Sequence, residues 1–521
     1  MNDPIHHGPT VGAQALRALA RYPERIAFVE GDKRTSYAAA LDLVARMQAV
    51  YATQGLGRGD RIAILTANRS ESWCASVAAQ ASAMSITWLH PLGSLDDQVD
   101  QIVDGECTVL LVDDANFLAR GADIATRAIS ALRAIFSLSK VDYAIDLMAA
   151  SSAIGAANAL DIARPDDVAI LNYTGGTTGK SKGALRNHAQ NASYTTAILS
   201  DFEIPDTPRY LVIAPMSHVA GTKILPCLML GGTIHLMKGF DPQAVLDTIA
   251  REKINMTLLV PTMIYVLLDH PALERTDLSS LDLLLYGASP MSPARLEEGL
   301  KRIGPVFSQL YGQTECYPIS VLRKADHDAM RPELFASCGF PIASVDVAIL
   351  DDQDQPVAPG GAGEICVRAA HAVGSYWKRP EQTAELFRNG WLHTGDIARM
   401  DERGYMFILD RKKDMIVSGG FNIYPRDVED ALSTHAGVAM ASVIGAPDPK
   451  WGETVVAMVV RKPGAAPSAE ELIALVKDRK GAAHAPKRVE FVDALPMTPV
   501  GKVDKKVLRA KFWEGQGRQV G

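Results

Sequence analysis

Residues able to grip a polyphosphate crowd one short stretch. Tyr173-Thr174-Gly175-Gly176-Thr177-Thr178-Gly179-Lys180-Ser181-Lys182-Gly183 follows the apolar run Val168-Ala169-Ile170-Leu171. Glycines let backbone approach an anion closely, hydroxyls donate hydrogen bonds and two lysines neutralise charge, so the composition suits a polyphosphate better than a neutral ligand. A Walker loop needs Gly, four residues, then Gly-Lys-Ser/Thr. Gly179-Lys180-Ser181 fits the end, but Thr174 stands where the first glycine belongs. In isolation the alternative is a plain flexible turn.

Rival chemistries lack their residues. Gly287-Ala288-Ser289-Pro290-Met291 resembles a Gly-x-Ser-x-Gly nucleophile elbow but ends in Met. There is no His-Glu-x-x-His and no histidine pair at helical spacing that suggests a metal cage. Cys74, Cys107, Cys227, Cys316, Cys338 and Cys366 form no Cys-x-x-Cys pair, which argues against zinc or a redox dithiol and for a reducing compartment. A net charge of −7 leaves no broad footprint for nucleic acid, so an anionic ligand must be met by local basic clusters. The start, Met1 to His7, has neither a basic head nor an apolar core, and no apolar run is long enough for a transmembrane segment. A cytoplasmic location is expected.

Such loops need a scaffold, and 521 residues with 47% hydrophobic and 22% charged composition suffice for several packing units. A helix is expected from Thr10 to about Arg21, then strands at Ile26–Val29, Asp60–Leu65 and Cys107–Val112, with a helix from Glu71 to Ala83. Residues 115–165, alanine-rich and weakly patterned, are expected to be outer helices plus a linker through Gly155. Beyond the glycine-rich stretch, strands at Tyr210–Pro215, Thr233–Leu236, Met256–Val260 and Leu281–Tyr286 alternate with helices, two of which open at Pro242 and Pro261. This is the βαβ rhythm of a doubly wound parallel sheet, whose ligands lie beyond the carboxyl ends of the strands. The loops 174–183, 216–221, 287–290 and 311–315 would then line one crevice. Val345 to Arg368 reads as strand, turn, strand of an antiparallel sheet, with Asp351-Asp352-Gln353-Asp354 a solvated turn. Charge density rises at Asp410–Asp414, and a smaller α+β unit follows.

The loops resemble those of the adenylate-forming enzymes, which include acyl-CoA synthetases, stand-alone adenylation domains and firefly luciferase. The resemblance covers nearly the whole chain. Matching segments run in the family's order: Thr174–Gly183, Ala214-Pro215-Met216-Ser217-His218, Tyr311-Gly312-Gln313-Thr314-Glu315, Gly390-Trp391-Leu392-His393-Thr394-Gly395-Asp396, Asp410–Pro425 and Pro499-Val500-Gly501-Lys502. It implies an α/β multidomain fold: two doubly wound α/β subdomains plus a small β-barrel in residues 1–410, and a smaller, mobile α+β domain in 411–521. It also implies ATP, Mg²⁺ and coenzyme A as reaction partners of a small carboxylic acid. The acid becomes an acyl-adenylate with loss of pyrophosphate, and a thiol then displaces AMP.

The resemblance also implies roles. Thr174, Gly175, Gly176, Thr177, Thr178, Gly179 and Lys182 hold the β- and γ-phosphates, although Gly175 replaces the usual Ser and Ser181 the usual Pro. Glu315 ligates Mg²⁺, as a hard carboxylate oxygen suits, and Thr314 meets the α-phosphate. Tyr311 stacks on adenine beside Gly312 and Gln313, with Gly287, Ala288 and Ser289 over the opposite face; a core tyrosine is the alternative. Asp396 accepts from both ribose hydroxyls with Arg411 alongside. Lys413 is the hinge, and Lys412 belongs to a solvated basic run. Lys502 bridges the substrate carboxylate and the α-phosphate in the transition state, making Lys502, Thr174 and Glu315 the catalytic set. Lys505 and Lys506 are expected to be surface charges. Gly419 and Gly420 line a pantetheine channel, and Trp451 and Lys487 match coenzyme A contacts, with a structural role as the alternative for both.

The resemblance places His218 at the mouth of an acyl pocket, with Ala220, Ile224, Met263, Val266 and Ile319 as its expected apolar walls. Met216 to Gly221 offers no Asp for an amino acid's ammonium, so fatty, alicyclic or aromatic acids are expected. Lys223 is expected to point outward on a helix; the alternative is contact with a second polar group on the acid. Without the insertion that marks fatty acyl-AMP ligases, coenzyme A is the expected acceptor. Loading of a carrier protein and non-catalytic nucleotide binding are the alternatives, and homodimerisation is a family habit.

Overall fold

In the computed structural model, residues 8–174, 181–418, 421–498 and 502–513 are described. They form four sheets. The first is eight-stranded, and its parallel centre runs Val168–Thr174, Ser85–Trp88, Arg61–Leu65, Val109–Val112, Ala134–Ser137 and Ile145–Asp146. The second is nine-stranded, with Ile26–Glu30, Thr233–Leu236, Arg209–Val212, Met256–Leu259, Leu283–Gly287 and Phe307–Gln313 parallel in that order. Near-continuous Val/Ile/Leu runs form these strands because both faces are covered.

Helices of both units share one core. Helix Val11–Arg21, capped by the Thr10 side chain at Ala13 N, buries Val11, Ala15, Ala18 and Leu19. Helix Ser70–Ala81 is buried at every residue, which its small Ala, Ser and Cys side chains permit. Asn68, just before it, ties the two sheets together: its amide donates to Met237 O at 2.8 Å and Ala214 O at 3.2 Å, and its carbonyl accepts from Met216 N at 2.7 Å.

Two expectations need correction. Residues 115–165 do contain helices, Asp114–Thr126 and Leu147–Ala153, but also the strands Ala134–Ser137 and Ile145–Asp146, too short to carry a period of their own. Tyr311 to Gln313 is not loop but the end of strand Phe307–Gln313, which turns at Thr314-Glu315 into the antiparallel strand Cys316–Leu322.

The third sheet is antiparallel and five-stranded, built on Val345–Leu350, Ala362–Ala369 and Trp391–Met400, with Met406–Arg411 paired to the last of these. Its Asp run is not merely solvated. Asp354 is largely buried, 3.2 Å from Arg388 Nη2 and 2.6 Å from Asn389 Nδ2, because it closes the strand ends beneath it. The fourth sheet, centred on Val438–Asp448 and Gly452–Arg461, packs helices Pro425–Ser433 and Ala469–Lys480 around a core of its own. All six cysteines are buried and free. No described helix is long and apolar enough to cross a membrane.

Candidate active site

Strands Val168–Thr174 and Lys182–Asn187 pair antiparallel, Thr174 opposite Lys182, so the glycine-rich stretch is followed by a strand, where a Walker loop is followed by a helix. Gly175, Gly176, Thr177, Thr178 and Gly179 lie outside the described residues. At the hairpin's end, Lys182 Nζ stands 5.2 Å from the Tyr376 ring centroid, and the Tyr376 hydroxyl donates to Glu315 Oε1 at 2.5 Å. Burial, then the Glu315 charge, raises the Tyr376 pKa, which keeps it a donor.

Glu315 occupies a turn held from behind. Arg186, fully enclosed in the strand that leaves the hairpin, donates to Thr314 O at 2.5 Å and to His371 O at 3.1 Å. Gln313 Nε2 donates to Thr394 O at 3.0 Å, fastening the turn to the third sheet. The second Glu315 oxygen makes no hydrogen bond among the described residues, and a carboxylate oxygen is a hard donor of the kind that a magnesium ion favours.

Two carboxylate oxygens meet two partners at Asp396. Tyr311 OH donates to Oδ2 at 2.7 Å, and Arg411 Nε lies 2.6 Å from Oδ1, across from it in the strand register. Burial raises the Asp396 pKa while Arg411 pulls it back. Gly287 lies beside Leu310 in the sheet, where a Cβ would come 2.3 Å from Leu310 O, so the strand can pass this close to its neighbour only with glycine there. Ala288 adopts φ +65°, a conformation that costs a non-glycine residue roughly 1–2 kcal/mol.

His218 stacks edge-on to His90, ring centroids 4.5 Å apart, and its Nδ1 is 2.8 Å from Ser217 Oγ. Burial, then His90 and Lys502, push its pKa down to about 3, so the imidazole is neutral. Lys502 therefore reaches this site from the chain's far end. Its loop is closed by Thr498 N to Lys502 O at 2.7 Å, and its charge interacts with Arg411, Asp396, Glu315 and Lys413. Burial lowers the pKa of Lys413 as well.

Ala220, Ile224 and Ile319 are buried together, and Met263 packs partly buried against the same core. Val266 is 46% exposed and points away, correcting its place as a wall residue. Lys223 overturns its expectation altogether: the turn that carries it is roofed by helix His188–Asp201 and strand Cys316–Leu322, so helical spacing alone misjudged its direction. It is wholly buried. Lys505 is also no surface charge, bridging Glu429 at 2.9 Å, whereas Lys506 is exposed. Lys412 is half solvated and pairs with Asp352 at 2.8 Å.

Gly419 and Gly420 lie outside the described residues. Trp451 and Lys487 are exposed on the fourth sheet, next to the starts of strands Gly452–Arg461 and Arg488–Phe491. Asn68, Arg186, Tyr317 and Tyr376 were not anticipated. Each acts through a partner far along the chain, a relation that no local spacing expresses.

The AMP-binding enzyme family matches residues 16–377, and the C-terminal domain of AMP-binding enzymes matches residues 427–502. A medium/long-chain-fatty-acid–CoA ligase of Mycobacterium tuberculosis is 41% identical over all of this chain and 92% of its own length. A feruloyl-CoA synthase of an Amycolatopsis species is 42% identical over 67% of this chain and 70% of its own. The structure of an amide bond synthetase from Marinactinospora thermotolerans superposes with a TM-score of 0.89 at 33% identity, over 96% of this chain and 99% of the other. The chain belongs to the AMP-binding enzyme family, within the adenylate-forming superfamily. It is an AMP-forming acid–thiol ligase.

Proposed function

We propose that this enzyme joins a fatty, alicyclic or aromatic carboxylic acid to coenzyme A in two steps within one site, and that the chain divides near residues 410 and 411 into a large domain and a mobile smaller one hinged at Lys413. In the first step the acid's carboxylate oxygen attacks the α-phosphorus of ATP. A P–O bond forms, the bond to the β-phosphate breaks, and pyrophosphate carries away the electron pair. Lys502 places its ammonium between the two reacting anions, where negative charge builds. Asp396 accepts from the ribose hydroxyls, Arg411 steadies that carboxylate, and Tyr311 with Gly287, Ala288, Ser289, Gly312 and Gln313 encloses the base. The phosphate stretch 174–182 takes the leaving group. Glu315 would hold Mg²⁺, which supplies charge neutralisation to the phosphates when bound.

In the second step the thiol sulfur of coenzyme A attacks the acyl carbon, the C–O bond to AMP breaks, and the thiol proton passes to solvent. Gly419, Gly420, Trp451 and Lys487 serve this step after the smaller domain turns. The observation that carries the reading is that Glu315, Asp396, Arg411 and His218 all come within electrostatic reach of Lys502, although five separate segments bring the five residues. A nucleotide-binding protein without chemistry has no need of Lys502 there.

Pyrophosphate release from Mg-ATP, followed across fatty, alicyclic and aromatic acids with and without coenzyme A, tests the reading. Sustained acid-dependent release only with coenzyme A is expected. A single turnover under both conditions would mean another acceptor, such as a carrier protein or an amine.

A further inference from the structure

Lys223 is buried next to Ile224, one of the residues expected to wall the acyl pocket, and the proposed adenylation chemistry does not use it. It ends the turn Gly221–Lys223, which leads into helix Ile224–Met229. Its Nζ lies 3.1 Å from Val219 O and 3.0 Å from Thr222 Oγ1, and it donates to the Tyr317 hydroxyl. The Tyr317 and Phe202 ring centroids stand 4.4 and 5.4 Å away. No carboxylate pairs with it among the described residues. Burial drives its pKa well below 10.5. A buried amine without a counter-ion costs stability that a methionine of similar shape would not.

The position gives that cost a use. Ala220, Lys223 and Ile224 share one helical turn, and the hydrogen bond from Lys223 holds the Tyr317 phenol beside that turn. The amine and the phenol thus lie next to Ala220 and Ile224, two of the residues expected to wall the acyl pocket. With Nζ donating to the Tyr317 oxygen, the phenolic hydrogen is left to donate onward, and the bond that the oxygen accepts polarises it.

We propose that Lys223 and Tyr317 form a polar anchor in the acyl pocket, which recognises a second, uncharged oxygen on the acid, a ring ketone or a phenol, remote from its carboxylate. The proposal rests on the acid–CoA ligase reading. An uncharged oxygen fits because the surroundings, Phe202, Ile224 and Ile319, are apolar, and a second carboxylate would have to shed all its water against one amine that already has three acceptors.

The test is kcat/KM for coenzyme A-dependent pyrophosphate release on paired acids: 3-(4-oxocyclohexyl)propanoate against 3-cyclohexylpropanoate, 3-(4-hydroxyphenyl)propanoate against 3-phenylpropanoate, and a dicarboxylate of equal length. The wild type is expected to favour the oxygenated member of at least one pair by about 10-fold or more, because a site built to bond an oxygen rejects the analogue without it. Lys223→Met and Tyr317→Phe should each bring that ratio close to one. An unchanged ratio with both acids slowed alike would assign the pair a structural role and overturn the proposal. So would a wild type that turns over all four acids without preference, or one that prefers the dicarboxylate; either would leave the ligase reading intact. Silence with every acid of the panel while a fatty acid is turned over would overturn the anchor and keep the ligase reading; silence with the fatty acid as well would remove both. If Lys223→Met does not fold, the wild-type ratio and Tyr317→Phe still decide.

Discussion

The Lys502 ammonium lies among the carboxylates of Glu315 and Asp396 and the guanidinium of Arg411, and burial lowers its pKa. In the proposed reaction it does no covalent chemistry; its charge acts where two anions must meet. Lys502→Ala is expected to slow acyl-adenylate formation by about 100-fold or more, the size seen when a preorganised charge-stabilising donor is removed. Thioester formation from supplied acyl-adenylate should fall far less. Quenched single-turnover assays of each half-reaction measure the split, and equal losses would contradict the role. The pH dependence has a fixed sign. Ammonium is present at low pH and lost as pH rises through the lowered pKa, so adenylation should decline on an alkaline limb that begins below the ordinary lysine value of 10.5. His218, held neutral by its pKa of about 3, should contribute no titration between pH 5 and 8.

At the scale of elements, the site depends on the turn between Phe307–Gln313 and Cys316–Leu322. Arg186 braces Thr314 O from 128 residues away and is buried, its pKa lowered by desolvation. Arg186→Met would leave Thr314 O and His371 O without their donor, costing about 1–3 kcal/mol for each buried group left unpaired. Adenylation should fall together with the urea midpoint, since Glu315 loses its seat; a stable variant with full activity would contradict that support. This element also shows the limits of the sequence. Glu315, Asp396 and Lys502 were singled out by the family resemblance of their segments; alone, Glu315 reads as a surface charge and Thr394-Gly395-Asp396 as a turn. Arg186 and Tyr376 were not singled out, because an arginine in a strand looks like any surface cation until a distant strand covers it. Lys223 failed for the same reason. The parallel strands were read from their apolar runs, whereas the four-residue strand Ala134–Ser137 has too few positions to show a period.

At the scale of the molecule, two bodies with separate cores touch along a narrow seam. Arg426 N donates to Asp410 Oδ2 at 3.2 Å, Arg426 Nη2 to Ala336 O at 3.4 Å, and Ser292 Oγ to Ser433 Oγ at 2.9 Å. This arrangement delivers Lys502 to the nucleotide site and leaves Trp451 and Lys487 exposed. In the proposed two-step reaction Lys502 has to leave the acyl-phosphate position before a thiol approaches it, so that reaction requires the seam to open between the steps. Ser292 and Ser433 lie close enough for a disulfide once both are replaced, and the six native cysteines are buried. The measurement that tests the account most directly is therefore made on the Ser292→Cys/Ser433→Cys enzyme, oxidised and then reduced, with Mg-ATP, an accepted acid and coenzyme A. The oxidised enzyme should release one equivalent of pyrophosphate and form no acyl-CoA until reduction restores turnover. Steady acyl-CoA synthesis by the fully oxidised enzyme would contradict the claim that this arrangement is the adenylating state of a two-step ligase.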